Sequence, residues 1–178
     1  DDLGSPEANL TTITVDGTDW SPGAAVDLAG GTLMVQPDGS LTLENPAQVG
    51  DASFEYAVEN AAGTSTATVT VSVNGTAPVA SNDSYETQVG ETLTVDAPGV
   101  LGNDDLGSPD AALTDLTVNG TTVAPGESTG FAGGALTVDA DGGLTLDSPT
   151  QVGDASFEYV VENAAGTSTA TVTVSVNG

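Results

Sequence analysis

Shifted against itself by 103 positions, the chain matches without a gap: residues 1–75 align with 104–178, and 53 of those 75 positions are identical. Whatever architecture one copy adopts must therefore be built twice, each time within roughly 100 residues and around its own core. The match is densest at the end of each copy, where "QVGDASFEYAVENAAGTSTATVTVSVNG" from Gln48 returns from Gln151 with one change, Ala57 against Val160. The segment between the copies, "TAPVASNDSYETQVGETLTVDAPGVLGN" at 76–103, has no counterpart ahead of Asp1. The expected units are a complete one at 76–178 and a first one at 1–75 that lacks its opening two strands. Upstream chain or a neighbouring molecule would complete the first. The missing strands correspond to those carrying Val79, Tyr85, Val89, Leu93 and Val95. Burying four or five such side chains is worth about 5–10 kcal/mol, comparable to the whole stability of a small domain.

The local pattern is one of strands. In the last hairpin Phe157, Tyr159 and Val161 alternate with Glu158, Val160 and Glu162, "NAAG" turns the chain, and Ala170, Val172, Val174 and Val176 alternate with Thr169, Thr171, Thr173 and Ser175. Successive strand side chains point to opposite faces, so one face is apolar and the other polar. Asn119-Gly120 and Asp141-Gly142 separate short β-prone runs, as Asp16-Gly17 and Asp38-Gly39 do in the first copy. Each reads as a two-residue turn, which needs positive φ. With "VASNDSYET" and "GETLTVDA" there are about seven short strands in a hundred residues, the spacing of an Ig-like Greek-key sandwich. Leu, Ile, Val and Phe supply 39 of 178 residues, enough for a lean core. The joint "VNGTAP" at 73–78 is short and stiffened by Pro78, which predicts units stacked end to end.

Charge excludes whole classes of partner. The chain has 26 carboxylates and no Lys, Arg or His, a net charge of −26. Side chains cannot pair as ions, and like-charge repulsion excludes nucleic acid and anionic membrane surfaces. No apolar run approaches the length needed for membrane insertion. The expected partners are cations, neutral surfaces, sugars and further copies of the same repeat. Catalysis is also disfavoured, because there is no His, Cys or Lys to act as base or nucleophile and no Arg to hold an oxyanion or phosphate. The absence of Cys excludes disulfides and thiolate metal sites.

The runs "APVASNDSY", "GETLTVDAPGVLGND", "GALTVDADGGLTL" and "GDASFEYVVENAAGTSTATVTVSV" resemble the bacterial Ig-like, cadherin-like repeats that stand in tandem in very large secreted adhesins of the RTX type. The resemblance covers 76–178 and, by repetition, 1–75. It implies an all-β fold of tandem Ig-like (cadherin-like) Greek-key sandwiches, about seven strands each, outside the cell. It also implies calcium stiffening and a role in holding a binding tip away from the cell surface. Where the family commonly carries a dense Asp run after the second strand, this chain has "NDDLGSPD".

In such a topology the loop 98–112, the start of the first strand near Asp83 and the turn at Asn163 share one end of the sandwich. Asp51 lies toward the other end of the preceding unit. A junction would gather Asp83, Asn103, Asp104, Asp105 and Asp110 near Asp51, an oxygen-only set of the kind calcium takes in sixes to eights. The alternative is a solvated acidic loop whose Asp and Asn serve turns. The Asp139-Ala140-Asp141-Gly142 stretch reads as a turn, since its first-copy counterpart is "VQPDGS". Thr66, Thr68 and Thr70 form a row that reads as the exposed face of a strand, with sugar binding as the alternative. Trp20, replaced by Val123 in the second copy, reads as partly exposed. The function expected is that of a rigid spacer in an extracellular adhesin stalk or surface fibre. The alternatives are a filament subunit completed by a neighbour's donor strands and a carbohydrate-binding module.

Overall fold

The computed structural model describes residues 2–178, which form two compact units that divide between Asn74 and Gly75. The first carries β1 (Asn9–Val15), β2 (Thr18–Trp20), β3 (Ala25–Leu28), β4 (Gly31–Val35), β5 (Leu41–Glu44), β6 (Gly50–Asn60) and β7 (Gly63–Val73). The second carries β8 (Asp83–Gln88), β9 (Leu93–Val95), a 3-10 turn Gly99–Leu101, β10 (Ala112–Val118), β11 (Thr121–Val123), β12 (Thr129–Phe131), β13 (Gly134–Val138), β14 (Leu144–Asp147), β15 (Gly153–Asn163) and β16 (Gly166–Asn177). Both units are all-β sandwiches. In the second, a sheet ordered β11-β10-β15-β16-β8 faces one ordered β12-β13-β14-β9; in the first, β2-β1-β6-β7 faces β3-β4-β5.

The alternation read in the last hairpin places Phe157, Tyr159, Val161, Ala170, Val172, Val174 and Val176 in the core, none more than 4 % exposed. From the opposing sheet Leu136, Val138, Leu144 and Leu146 close on them. Phe131 meets Phe157 edge to face, with centroids 5.5 Å apart and planes at 89°, the arrangement that brings a ring's positive edge to its partner's face. Two features break simple alternation. The pairing of β10 with β15 shifts between Leu113 and Asp115, and that of β1 with β6 shifts between Leu10 and Thr12. This bulge lets Leu113 and Leu116, three residues apart, both face inward.

The turns sort into two kinds. Asn119-Gly120 and Asp16-Gly17 have positive φ at both residues, 51° and 77° in the second unit and 49° and 75° in the first, as a two-residue hairpin turn requires. Asp141-Gly142 and Asp38-Gly39 are different: only the glycines have positive φ. The Gly142 N–H donates to the Asp139 carbonyl at 2.9 Å and the Asp139 N–H to the Gly143 carbonyl at 2.8 Å. These are longer loops with the glycine in a bulge, and the expected two-residue turn is corrected there.

The 76–103 segment also fills its core differently from expectation. Tyr85, Leu93 and Val95 pack against it, but Val79 is 60 % and Val89 41 % exposed. Val79 contributes its backbone instead, exchanging hydrogen bonds with Asp105 at 2.7 and 3.0 Å. The apolar contribution comes from the 3-10 turn, where Val100 is fully buried and Leu101 packs beside it.

Candidate functional site

Tyr159, in the middle of β15, spans the core with its ring fully buried. A buried phenol must find a partner for its hydroxyl. Here the hydroxyl lies 2.9 and 3.0 Å from the two carboxylate oxygens of Asp104 and 2.9 and 3.1 Å from the Val100 and Ser81 carbonyls. One proton serves one acceptor at a time, and the charged carboxylate is the strongest of the four. Asp104 Oδ1 also accepts the Ser81 N–H at 2.8 Å. The acidic loop is thus latched to the central hairpin and to the chain entering β8. Burial, followed by the hydrogen bond to Asp104, holds the Tyr159 hydroxyl protonated well above the ordinary phenol range.

Asp83 opens β8 opposite Val172 of β16. Its Oδ2 is buried without a hydrogen-bond donor. Burial, then the neighbouring Asp104 charge, pushes its carboxyl up from 3.8 to about 6, while the Tyr159 and Tyr85 hydroxyls and the Asn103 amide offset part of that rise. Tyr85 is raised in turn, by burial and by the Asp83 carboxylate. Two acids therefore share a partly desolvated pocket in a chain that has no basic side chain to neutralise them.

Of the six residues proposed for metal, Asp83, Asn103 and Asp104 come together. The Asn103 amide donates to the Asn82 carbonyl at 3.1 Å. Asp105 caps its own loop, accepting the Gly107 N–H at 3.0 Å, and Asp110 is exposed ahead of β10. Asp51 belongs to the first unit, where it accepts the Ser72 hydroxyl across the β6–β7 pair. Its repeat partner Asp154 takes Ser175 in the same way at 2.6 Å. Among the described residues no group of three or more carboxylates is arranged to hold a metal ion.

Sequence reasoning placed the turn at Asn163 beside the 98–112 loop but missed what its side chain does there. Its amide donates toward the carbonyls of Pro109, Thr76 and Leu106 at 2.7, 2.9 and 3.3 Å, while its own oxygen accepts the Ala165 and Gly166 N–H groups at 2.8 and 3.1 Å. Asn60 repeats the device in the first unit, reaching the Pro6 carbonyl at 2.7 Å and accepting from Ala62 at 2.9 Å. The signal was the unchanged "NAAG" in both copies. An Asn at that spot completes the turn and still has an amide free to tie down a second loop.

No helix among the described residues is long and apolar enough to cross a membrane. No curated protein matches the chain. Among solved structures, Sidekick-1 immunoglobulin domains 1-5 superpose with a TM-score of 0.44 at 16 % identity, covering 98 % of this chain and 34 % of that one, so the chain spans about a third of that fragment. The N-terminal Ig1-2 module of the Drosophila receptor protein tyrosine phosphatase DLAR gives 0.38 at 21 % identity, covering 98 % and 86 %. An I-band fragment of titin gives 0.40 at 17 %, covering 93 % and 54 %. The bacterial Ig domain family matches twice in succession, over residues 2–72 and 74–175. With nearly the whole length accounted for in two consecutive matches, the chain belongs to the bacterial Ig domain family.

Proposed function

We propose that this protein is a structural repeat module of an extracellular adhesin stalk or surface fibre, a spacer that transmits tension and does no chemistry. The observation that supports this is the pairing of the second unit's first and last long strands. β8 runs parallel to β16 in register from Asp83 opposite Val172 to Gln88 opposite Asn177. Because the pair is parallel, the chain enters at one end of the sheet and leaves at the other. Tension between the two ends of the unit then runs along the strands, and their hydrogen bonds are sheared together instead of broken one by one. The uncompensated negative surface keeps such modules soluble and apart from anionic cell material.

The test is to change the direction of pulling and leave the fold intact. The chain has no Cys, so Glu91→Cys creates a unique handle just beyond β8. Pulling between residues 91 and 178 peels β8 from β16, and the unfolding force is expected to fall several-fold below that for pulling through the unit's two ends. Equal forces in the two directions would end the reading.

A second reading is favoured by Asp83 Oδ2, a buried oxygen without a donor beside a second carboxylate. An acid pair of this kind fits a hard cation. Calcium, held by Asp83 and Asp104, would supply the positive charge that the sequence does not. Calcium titration of the second unit's melting, in the native chain and in Asp83→Asn, tests it. A saturable rise that the variant lacks supports the site, and the same small rise in both is general screening and rejects it.

A further inference from the structure

The two copies agree best along their last hairpin and least between residues 16 and 28, where nine of thirteen positions differ from their counterparts at 119–131. That stretch holds the outer strands of both sheets of the first unit. β2 ends one sheet, on the side away from β7, and β3 ends the other. Trp20, the last residue of β2, stands opposite the buried Ile13 of β1, so its side chain leaves the sheet on the inward face. Its counterpart Val123 stands opposite Leu116 in the same way and is 8 % exposed. An indole overflows the place that a valine fills, and Trp20 is 40 % exposed at the rim of the sandwich. The other six aromatic rings of the chain are buried or half-buried. The exchanges around Trp20 also change charge. Asp16, Asp19 and Asp27, all exposed, stand where the second unit has Asn119, Thr122 and Gly130, and within this stretch the reverse exchange occurs once, Ala24 against Glu127.

We propose that the β2–β3 edge of the first unit is a docking surface for a basic segment of a partner protein, with a guanidinium or ammonium group laid on the Trp20 indole and the rest of the segment drawn in by Asp16, Asp19 and Asp27. The face of an indole attracts a cation through the ring quadrupole, more strongly than the other aromatic side chains do. This chain has no Lys, Arg or His to occupy that face, so a cation there comes from another molecule. Trp and Arg are also the side chains that most often dominate protein interfaces. The carboxylates decide between ligand classes. A neutral sugar would use the ring and gain nothing from three added charges, and a metal ion would use the charges and leave the ring idle. A basic side chain uses both. The Thr14 hydroxyl donates to Asp19 at 2.7 Å, which fixes one carboxylate on the ring's own strand, and attraction from the others reaches about 8 Å at physiological salt. The outer edge of β2 has no neighbouring strand, so an extended segment has room to lie along it. An exposed apolar residue alone is ordinary; here it coincides with a local gain of negative charge. The inference does not depend on the spacer role.

Trp20 is the only Trp in the chain, so its fluorescence reports on this edge alone. The experiment titrates the full chain with a short oligoarginine peptide at physiological salt. A saturable change in Trp20 emission is expected, and a glutamine peptide of equal length should not produce it. Two variants borrow residues that the second unit already carries at the same places. Trp20→Val is expected to weaken peptide binding, read by calorimetry, about two- to fivefold, as loss of an exposed cation–π contact implies. Asp16→Asn, Asp19→Thr and Asp27→Gly together keep the ring and are expected to weaken the binding seen in its emission by about threefold or more. Equal calorimetric affinity in the native chain and in Trp20→Val would reduce the surface to the chain's general acidity and overturn the proposal. So would an emission change that the triple variant leaves undiminished. A neutral oligosaccharide that alters the emission at lower concentration than the peptide would overturn it as well, since the ring would then serve a sugar.

Discussion

With no cation in the sequence, each carboxylate must find a neutral donor or stay in water. Several are met by hydroxyls: Asp154 by Ser175 at 2.6 Å, Asp147 by Thr92 and Asp19 by Thr14, each at 2.7 Å, and Asp38 by Ser40 at 2.7 Å. The bonds to Asp147 and Asp38 favour the charged form and hold both carboxyls below the ordinary carboxylate range, through the Thr92 and Ser40 hydroxyls first. Asp83 goes the other way, because burial next to Asp104 favours its neutral form. The signs therefore oppose within the second unit. A raised native pKa means that the folded state holds the proton more tightly, so the stability linked to Asp83 is complete below about 4 and is lost as pH rises through about 6. The contribution of Asp147 is present above its unfolded value and disappears on acidification below it. Stability of the second unit, read from urea midpoints, is expected to increase from pH 7 to 5. Asp83→Asn should flatten that slope and add about 1 kcal/mol at pH 7, a figure discounted for solvent screening. Tyr159→Phe should cost about 1–3 kcal/mol, because it leaves Asp104 without its buried donor, and should speed exchange around residues 99–105. A variant as stable as the native chain would refute the latch. The acids of this site were legible as a cluster in sequence. Their partner was not, since Tyr159 lies 55 positions from Asp104; the available hint was that an inward-facing Tyr in an "F-x-Y" strand must deliver its hydroxyl somewhere.

Among the elements, those whose side chains alternate were readable and those that bend were not. The β15–β16 hairpin and the Asn-Gly turns follow from period-two patterning and from the need for positive φ, both local properties. The bulge at Thr114 was hidden because an extra residue looks like a lapse in alternation until the partner strand is known. Val79 and Val89 were misjudged as core because they are apolar residues flanking a strand. Their backbone groups are what bind, to Asp105 and Asn177, and their side chains are left outside. Asn163 is the element-scale counterpart of the Tyr159 latch, joining the β15–β16 turn to the entering chain at Thr76 and to the acidic loop at Leu106 and Pro109. Asn163→Ala removes these bonds together with two that close the turn. It is expected to lower the second unit's stability by about 1–3 kcal/mol, with the loss of exchange protection concentrated at residues 76–80 and 104–110. A loss confined to the turn itself would show that the long-range bonds contribute little.

At the scale of the molecule, the repeat makes the chain its own control: two units of one sequence pattern, one with a parallel strand laid along its last strand and one without. The tandem arrangement and the all-β class could be read from the repeat and the turn spacing. The mechanical consequence could not, because it depends on which edge of the sheet the 76–103 segment joins and in which direction it runs. Under tension the second unit should resist through the β8–β16 shear pair, and the first, whose β7 has no such partner in the described residues, should yield early. Stretching the full chain end to end in a single-molecule force experiment tests this most directly. Expected is a low-force event for the first unit, then a distinctly higher-force event for the second, releasing about 250 Å and about 350 Å of chain respectively, less the length each folded unit already spans, at about 3.4 Å per freed residue. If the longer step came at a force no greater than the shorter one, the claim that this fold is built to bear tension along β8 and β16 would be contradicted.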